Sequence, residues 1–129
     1  MVAKMLEYAP KEAEITRIEY EGPNIAVYSK RPDLLLQHSY LLTELATKLK
    51  KRVVVRSEAS ERDEPTSARR KIAKILSKNE ISLGEAYFDN SVGEVHLYVD
   101  KTLDMRTIAD LTIEIARETR WIPVFRHFF

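Results

Sequence analysis

Short runs of alternating apolar and polar residues give way to apolar residues at three- and four-residue spacing, then alternate again, and the chain does this twice. Alternation at period two puts every second side chain on one face of a strand, whereas the longer spacing draws one stripe along a helix. The first round predicts paired strands over Ile15 to Tyr20 and Ile25 to Tyr28, a helix over Asp33 to Leu49 and a closing strand over Val53 to Arg56. The second predicts strands over Ile81 to Phe88 and Val95 to Val99, a helix over Thr107 to Thr119 and a strand over Ile122 to Arg126. Ile15 and Ile81, Val27 and Val95, Leu45 and Ile115, and Arg56 and Arg126 stand 66, 68, 70 and 70 positions apart. A near-constant spacing of this kind marks an internal duplication.

Turn and cap signals punctuate the pattern. Gly22-Pro23-Asn24 and Asn90-Ser91-Val92-Gly93 sit between apolar runs and predict hairpins. Asp33 is placed to cap the first helix, whose stripe is Leu41, Leu42, Leu45 and Leu49. A further helix, capped by Thr66 or Ser67 and running to Lys78, carries the stripe Ala68, Ile72, Ile75 and Leu76. Pro123 has no N–H for a sheet ladder, which assigns the last strand to an edge. Met1 to Glu12 reads as a short amphipathic helix. The expected fold is α+β: two tandem strand-strand-helix-strand units packed as one pseudo-symmetric body. Residues 1–58 form the first unit, the acidic segment 59–65 a linker, and residues 66–129 the second unit.

Composition narrows the function. The 129 residues include no cysteine, which removes disulfides, thiol catalysis and zinc-thiolate sites. No apolar stretch approaches the ~20 residues of a membrane span, and the expected location is cytoplasmic. The richness in Lys, Arg and Glu matches a heat-adapted source. The net charge is only +1, so any nucleic-acid contact must come from local clustering of cations. Three glycines are present, Gly22, Gly84 and Gly93, and all fall in predicted strands or hairpins. No phosphate-binding glycine loop, nucleophile elbow or dinucleotide fingerprint occurs. His38, His96 and His127 are scattered, without metal-ligand spacing. The expectation is a protein with no catalytic residue, metal, cofactor or small-molecule substrate.

Four segments carry a family resemblance: Ile15-Thr16-Arg17-Ile18-Glu19-Tyr20-Glu21-Gly22-Pro23, Lys50-Lys51-Arg52-Val53-Val54-Val55-Arg56, Phe88-Asp89-Asn90-Ser91-Val92-Gly93-Glu94-Val95 and Arg117-Glu118-Thr119-Arg120-Trp121-Ile122-Pro123. Together they resemble the amino-terminal RNA-binding region of archaeal cleavage and polyadenylation specificity factor-like nucleases. There, two tandem K-homology (KH) units precede a metallo-β-lactamase nuclease. The resemblance implies type II KH-like units over about residues 13–126, in an archaeal protein without the nuclease, and a stand-alone paralogue is the simplest expectation. A KH unit clamps the backbone of about four nucleotides with a GxxG loop. The resemblance puts that loop at Arg106-Thr107-Ile108-Ala109, where no glycine stands, and the first unit resembles the family's first unit, which lacks the loop.

Candidate contacts follow from this loss. Arg69, Arg70, Lys71, Lys74 and Lys78 cluster on one predicted helix, suited to run along a phosphate chain. Lys48, Lys50, Lys51 and Arg52 form a second cluster, which also complements a helix dipole. Asp110, Glu114 and Glu118 make an acidic stripe, with Arg106 expected to pair with Asp110. Tyr8, Tyr20, Tyr28, Tyr40, Tyr87 and Tyr98 invite base stacking or core packing, and His96 and Tyr98 fall on an outer strand face. Trp121, Phe125, Phe128 and Phe129 are read as a dimer or partner surface. The leading expectation is a non-catalytic RNA- or ribonucleoprotein-associated homodimer that binds a ribosomal subunit and regulates translation. Two alternatives stand beside it: a single-stranded RNA-binding module of a transcript 3′-end cleavage factor, and a pure protein-interaction module.

Overall fold

A computed structural model describes residues 11–127 of the chain. The expected helix over residues 1–12 falls almost wholly outside them, as do Tyr8, Phe128 and Phe129. The first unit comprises β1 (Ile15–Glu21), β2 (Asn24–Ser29), α1 (Pro32–Gln37), α2 (Ser39–Leu49) and β3 (Val53–Ser57). The second comprises α3 (Pro65–Lys78), β4 (Leu83–Asp89), β5 (Glu94–Val99), α4 (Met105–Thr119) and β6 (Ile122–His127). Each unit has one three-stranded sheet, ordered β1-β2-β3 and β4-β5-β6, in which the hairpin is antiparallel and the third strand parallel.

The duplication extends to register. Ile25 pairs with Val53 and Val95 pairs with Pro123, each partner 70 positions on. Both hairpins shift register at the same place, between Ile15 and Arg17 and between Leu83 and Glu85, an offset of 68. The offset grows to 70 because β1 and β2 are joined by Gly22 and Pro23 alone, whereas residues 90–93 join β4 and β5. Ile81 precedes β4 instead of opening it; its N–H closes the end of α3 on the Leu76 carbonyl, and its side chain is buried.

Two cores support the sheets. Ala68, Ile72, Ile75 and Leu76 of α3 and Leu111 and Ile115 of α4 pack on Val95, Leu97 and Val99. Each full burial of such a side chain contributes about 1.5–3 kcal/mol. Val27, Leu35, Leu45 and Val55 centre the smaller first core, and Ile122 of β6 packs against it. The units are further joined where α1 meets α4 and β3 meets β6.

Several local expectations change. The helix over Asp33 to Leu49 is broken at His38 (φ −110°, ψ 43°). Its ring Nδ1 donates to the Leu34 carbonyl at 2.8 Å, taking the acceptor that the His38 backbone N–H would use in an unbroken helix. That N–H turns instead to Leu35. Asp33 is not a cap: it is fully buried, and Arg31 donates to its two oxygens at 3.2 and 3.1 Å. Thr66 and Ser67 do not cap α3, because Pro65 already starts it and Glu64 is the N-cap. The segment 59–65, read as a linker, contains a 3-10 turn, Ala59–Glu61, and supplies Arg62 and Asp63 to the junction between units.

Candidate nucleic-acid interface

The apolar stripe of α3 turns the opposite side of that helix outward. Arg69, Arg70, Lys74 and Lys78 are exposed, and none has an ion-pair partner among the described residues. Arg70, Lys74 and Lys78 recur every four residues and so share one face. Lys71 does not join them. Its ammonium donates to Asp63 at 2.6 Å and to the Glu118 carbonyl at 3.3 Å, because its place on the flank of the buried stripe aims it at the end of α4. On α3, then, four cations stay exposed and unpaired among the described residues.

The second cluster closes the first unit. Lys48 pairs with Glu44 at 3.6 Å, Lys51 lies 5.7 Å from the Tyr20 ring centre, and Lys50 turns the chain out of α2. Lys50, Lys51 and Arg52 edge a shallow concavity of about 500 Å³ with Leu42, Ala46 and Val53 in its lining. Two of these cations thus have intramolecular partners, while Arg52 is exposed without a side-chain partner among the described residues.

The expected degenerate loop is no loop. Arg106, Thr107, Ile108 and Ala109 lie in the first two turns of α4, capped by Asp104, whose carboxylate accepts from the Thr107 N–H at 2.7 Å. That hydrogen bond holds the Asp104 carboxyl below its ordinary range. An end already filled by its own aspartate offers a phosphate neither a free N–H at that position nor a favourable charge. Arg106 is exposed and does not pair with Asp110. With the offset of 70, His38 corresponds to Ile108, so the first unit breaks its helix where the second continues it.

Trp121 is not a partner surface. It is 1% exposed, its Nε1 donates to the Asp63 carbonyl at 2.8 Å, and its ring meets Phe88 edge-on at 4.8 Å. Arg62 lies 5.5 Å from the ring centre and donates to the Ser57 hydroxyl and the Asn90 carbonyl. Burial pushes its guanidinium below its usual value. Phe125 is half-buried against the second core. Among the tyrosines, Tyr28 is buried, whereas Tyr20, Tyr40 and Tyr87 are 76, 63 and 64% exposed.

Sequence reasoning missed Arg56. On β3 its side chain is 8% exposed, paired with Glu21 of its own unit at 2.5 Å and with Glu94 of the second unit at 3.0 Å. It lay inside a run read as strand, and nothing local marks an arginine whose acids are 35 and 38 residues away.

Two sheets of matching topology, each backed by helices and carrying no glycine loop, define a tandem KH-like α+β protein. Residues 1–62 match the family model described as transcription termination factor FttA, KH domain. The chain is similar to proteins named transcription termination factor FttA. It is 39% identical over 97 residues to that of Cenarchaeum symbiosum, covering 75% of this chain and 15% of the relative. It is 35% identical over 118 residues to that of Pyrococcus horikoshii, covering 91% and 18%. It is 35% identical over 120 residues to that of Thermococcus kodakarensis, covering 92% and 18%. The chain therefore spans less than a quarter of the length of these relatives, between 15 and 18%.

Proposed function

We propose that the chain is a non-catalytic, KH-like RNA-binding unit that holds the phosphate backbone of single-stranded transcripts. One observation carries this reading: four exposed cations of α3, Arg69, Arg70, Lys74 and Lys78, stand together without acidic partners among the described residues, in a protein of near-zero net charge. A stripe of this kind neutralises phosphates without reading bases, which suits a unit whose clamp position is an ordinary helix start. The relatives' name supports a role in transcription termination. That is closer to the transcript 3′-end alternative than to the ribosome, which draws no support from it. Self-association is read separately, by light scattering.

The test is fluorescence anisotropy with a labelled single-stranded RNA across a salt series. Binding weakens with log salt at a slope of about −0.7 per phosphate contacted, so four contacts give a slope of about −3. The double variant Arg70→Glu/Lys74→Glu is expected to lose at least tenfold in affinity and to flatten that slope. Equal binding by the double variant overturns the reading, as does no binding by the unaltered chain at low salt.

A further inference from the structure

The duplication makes each unit a control for the other. In the first, Arg17 stands directly across the β1–β2 ladder from Tyr28, and its guanidinium carbon lies 3.9 Å from the centre of that ring. Glu19 holds the guanidinium at 2.9 Å and Glu58 at 3.3 Å. On the other side Tyr28 is the ladder partner of Arg56. The face of Tyr28 is thus occupied by an arginine of its own chain, and the residue is only 9% exposed.

The second unit keeps the platform and drops its occupant. Tyr98 and Arg126 are ladder partners in β5–β6, as Tyr28 and Arg56 are in β2–β3. Across β4–β5, however, Tyr98 faces Glu85 where Tyr28 faces Arg17. Tyr87 lies two residues further along the same strand face, opposite His96 and 64% exposed. Arg126 is engaged elsewhere, donating from Nε to His96 Nδ1 at 3.1 Å. Among the described residues Glu85 has no ion-pair partner and no cation lies over Tyr98. This face is the side of the sheet opposite Val95, Leu97 and Val99, which the helices cover.

Two tyrosine rings beside an unanswered carboxylate suit a planar cation. A guanidinium stacks on an aromatic face while its N–H groups reach a carboxylate; an ammonium does this less well, and a phosphate is repelled by Glu85. We propose that the open face of the second sheet, at Tyr98, Tyr87 and Glu85, receives an arginine side chain from a protein partner, as Tyr28 receives Arg17 within the chain. The site is separate from α3 and does not depend on RNA binding there.

The test is a titration of the full chain, followed through the Tyr87 and Tyr98 ring signals by NMR, with the capped peptide Gly-Gly-Arg-Gly-Gly. Its lysine counterpart and a uridine pentanucleotide serve as comparison probes. The arginine peptide is expected to shift both rings saturably and to bind at least fivefold more tightly than the lysine peptide. Glu85→Arg, an exposed change that reinstates the first unit's arrangement, is expected to abolish the response, whereas Arg70→Glu/Lys74→Glu leaves it unchanged. The proposal is overturned by absence of a shift at these rings, by equal response to lysine, by an undiminished response in a folded Glu85→Arg variant, or by preference for the nucleotide.

Discussion

Lys50 and Arg120, 70 positions apart, end α2 and α4 with the same left-handed turn. Their φ angles are 54° and 66°, and their backbone N–H groups donate to Ala46 and Ala116 respectively. The left-handed region costs a residue with a Cβ roughly 1–2 kcal/mol. Glycine avoids that cost but loses more chain entropy on folding. Lys50→Gly is therefore expected to raise stability by about 0.5–1 kcal/mol in urea denaturation. Arg120→Gly gains less, because the Arg120 side chain also donates to the Lys30 carbonyl at 3.0 Å.

Arg56 couples the two units through Glu21 and Glu94, and its removal leaves two carboxylates facing each other across the junction. Breaking a buried pair costs about 3–5 kcal/mol. Glu21 and Glu94 keep 30 and 27% of their side-chain exposure, so we expect about 2–3 kcal/mol for Arg56→Met. Denaturation followed separately by Trp121 fluorescence and far-ultraviolet circular dichroism checks this. The variant should unfold earlier, with the two signals no longer coincident.

Gly93 and Gly22 provide a contrast. Both have positive φ, 74° and 61°, but a Cβ at Gly93 would stand 2.5 Å from the Arg62 guanidinium, whereas none at Gly22 meets an atom within 4 Å. Arg62 cannot swing away freely because it holds Ser57, Asn90 and the Trp121 ring. Gly93→Ala is expected to cost about 2–3 kcal/mol and Gly22→Ala about 1 kcal/mol. Trp121 is the single tryptophan, so its emission reports the same site. It should be blue-shifted and shielded from iodide in the unaltered protein, and red-shifted in Gly93→Ala.

Asp104 and Asp89 predict the acid limb. Both carboxyls are held below their ordinary value, Asp104 by the Thr107 N–H and Asp89 by the Ser91 hydroxyl and N–H. A depressed folded-state pKa adds stability above the unfolded value of about 3.9 and loses it as pH falls through the folded value. Thermal melts should be flat in this contribution from pH 7 to about 5 and fall below pH 4. Asp104→Ala should lower the melting temperature at pH 7 and shrink the drop toward pH 3.

Much of the fold was legible because its signals are local. Val95, Leu97 and Val99 alternate within six residues, and Ala68, Ile72, Ile75 and Leu76 mark one side of a helix, so each element announced itself. The site was only partly legible. The outward placement of Arg69, Arg70, Lys74 and Lys78 was legible because helical spacing alone sets it. Lys71 and Trp121 were misread because their partners, Asp63 and Glu118 for one, Asp63 and Phe88 for the other, come from different elements. The break at His38 was missed because an imidazole bonding a carbonyl four residues back leaves no mark on hydrophobic periodicity.

The order of residues by itself determined two matching α+β units, their hairpins, and a helix with an outward basic side, since these depend on period, turn chemistry and chain proximity. Tertiary structure alone decided which of the described cations remain free, that Arg56 joins the units, and that Arg17 lies over Tyr28 while no described cation lies over the half-buried Tyr98. Those outcomes rest on distances between residues far apart in the chain, and electrostatic pairing and burial are set by such distances.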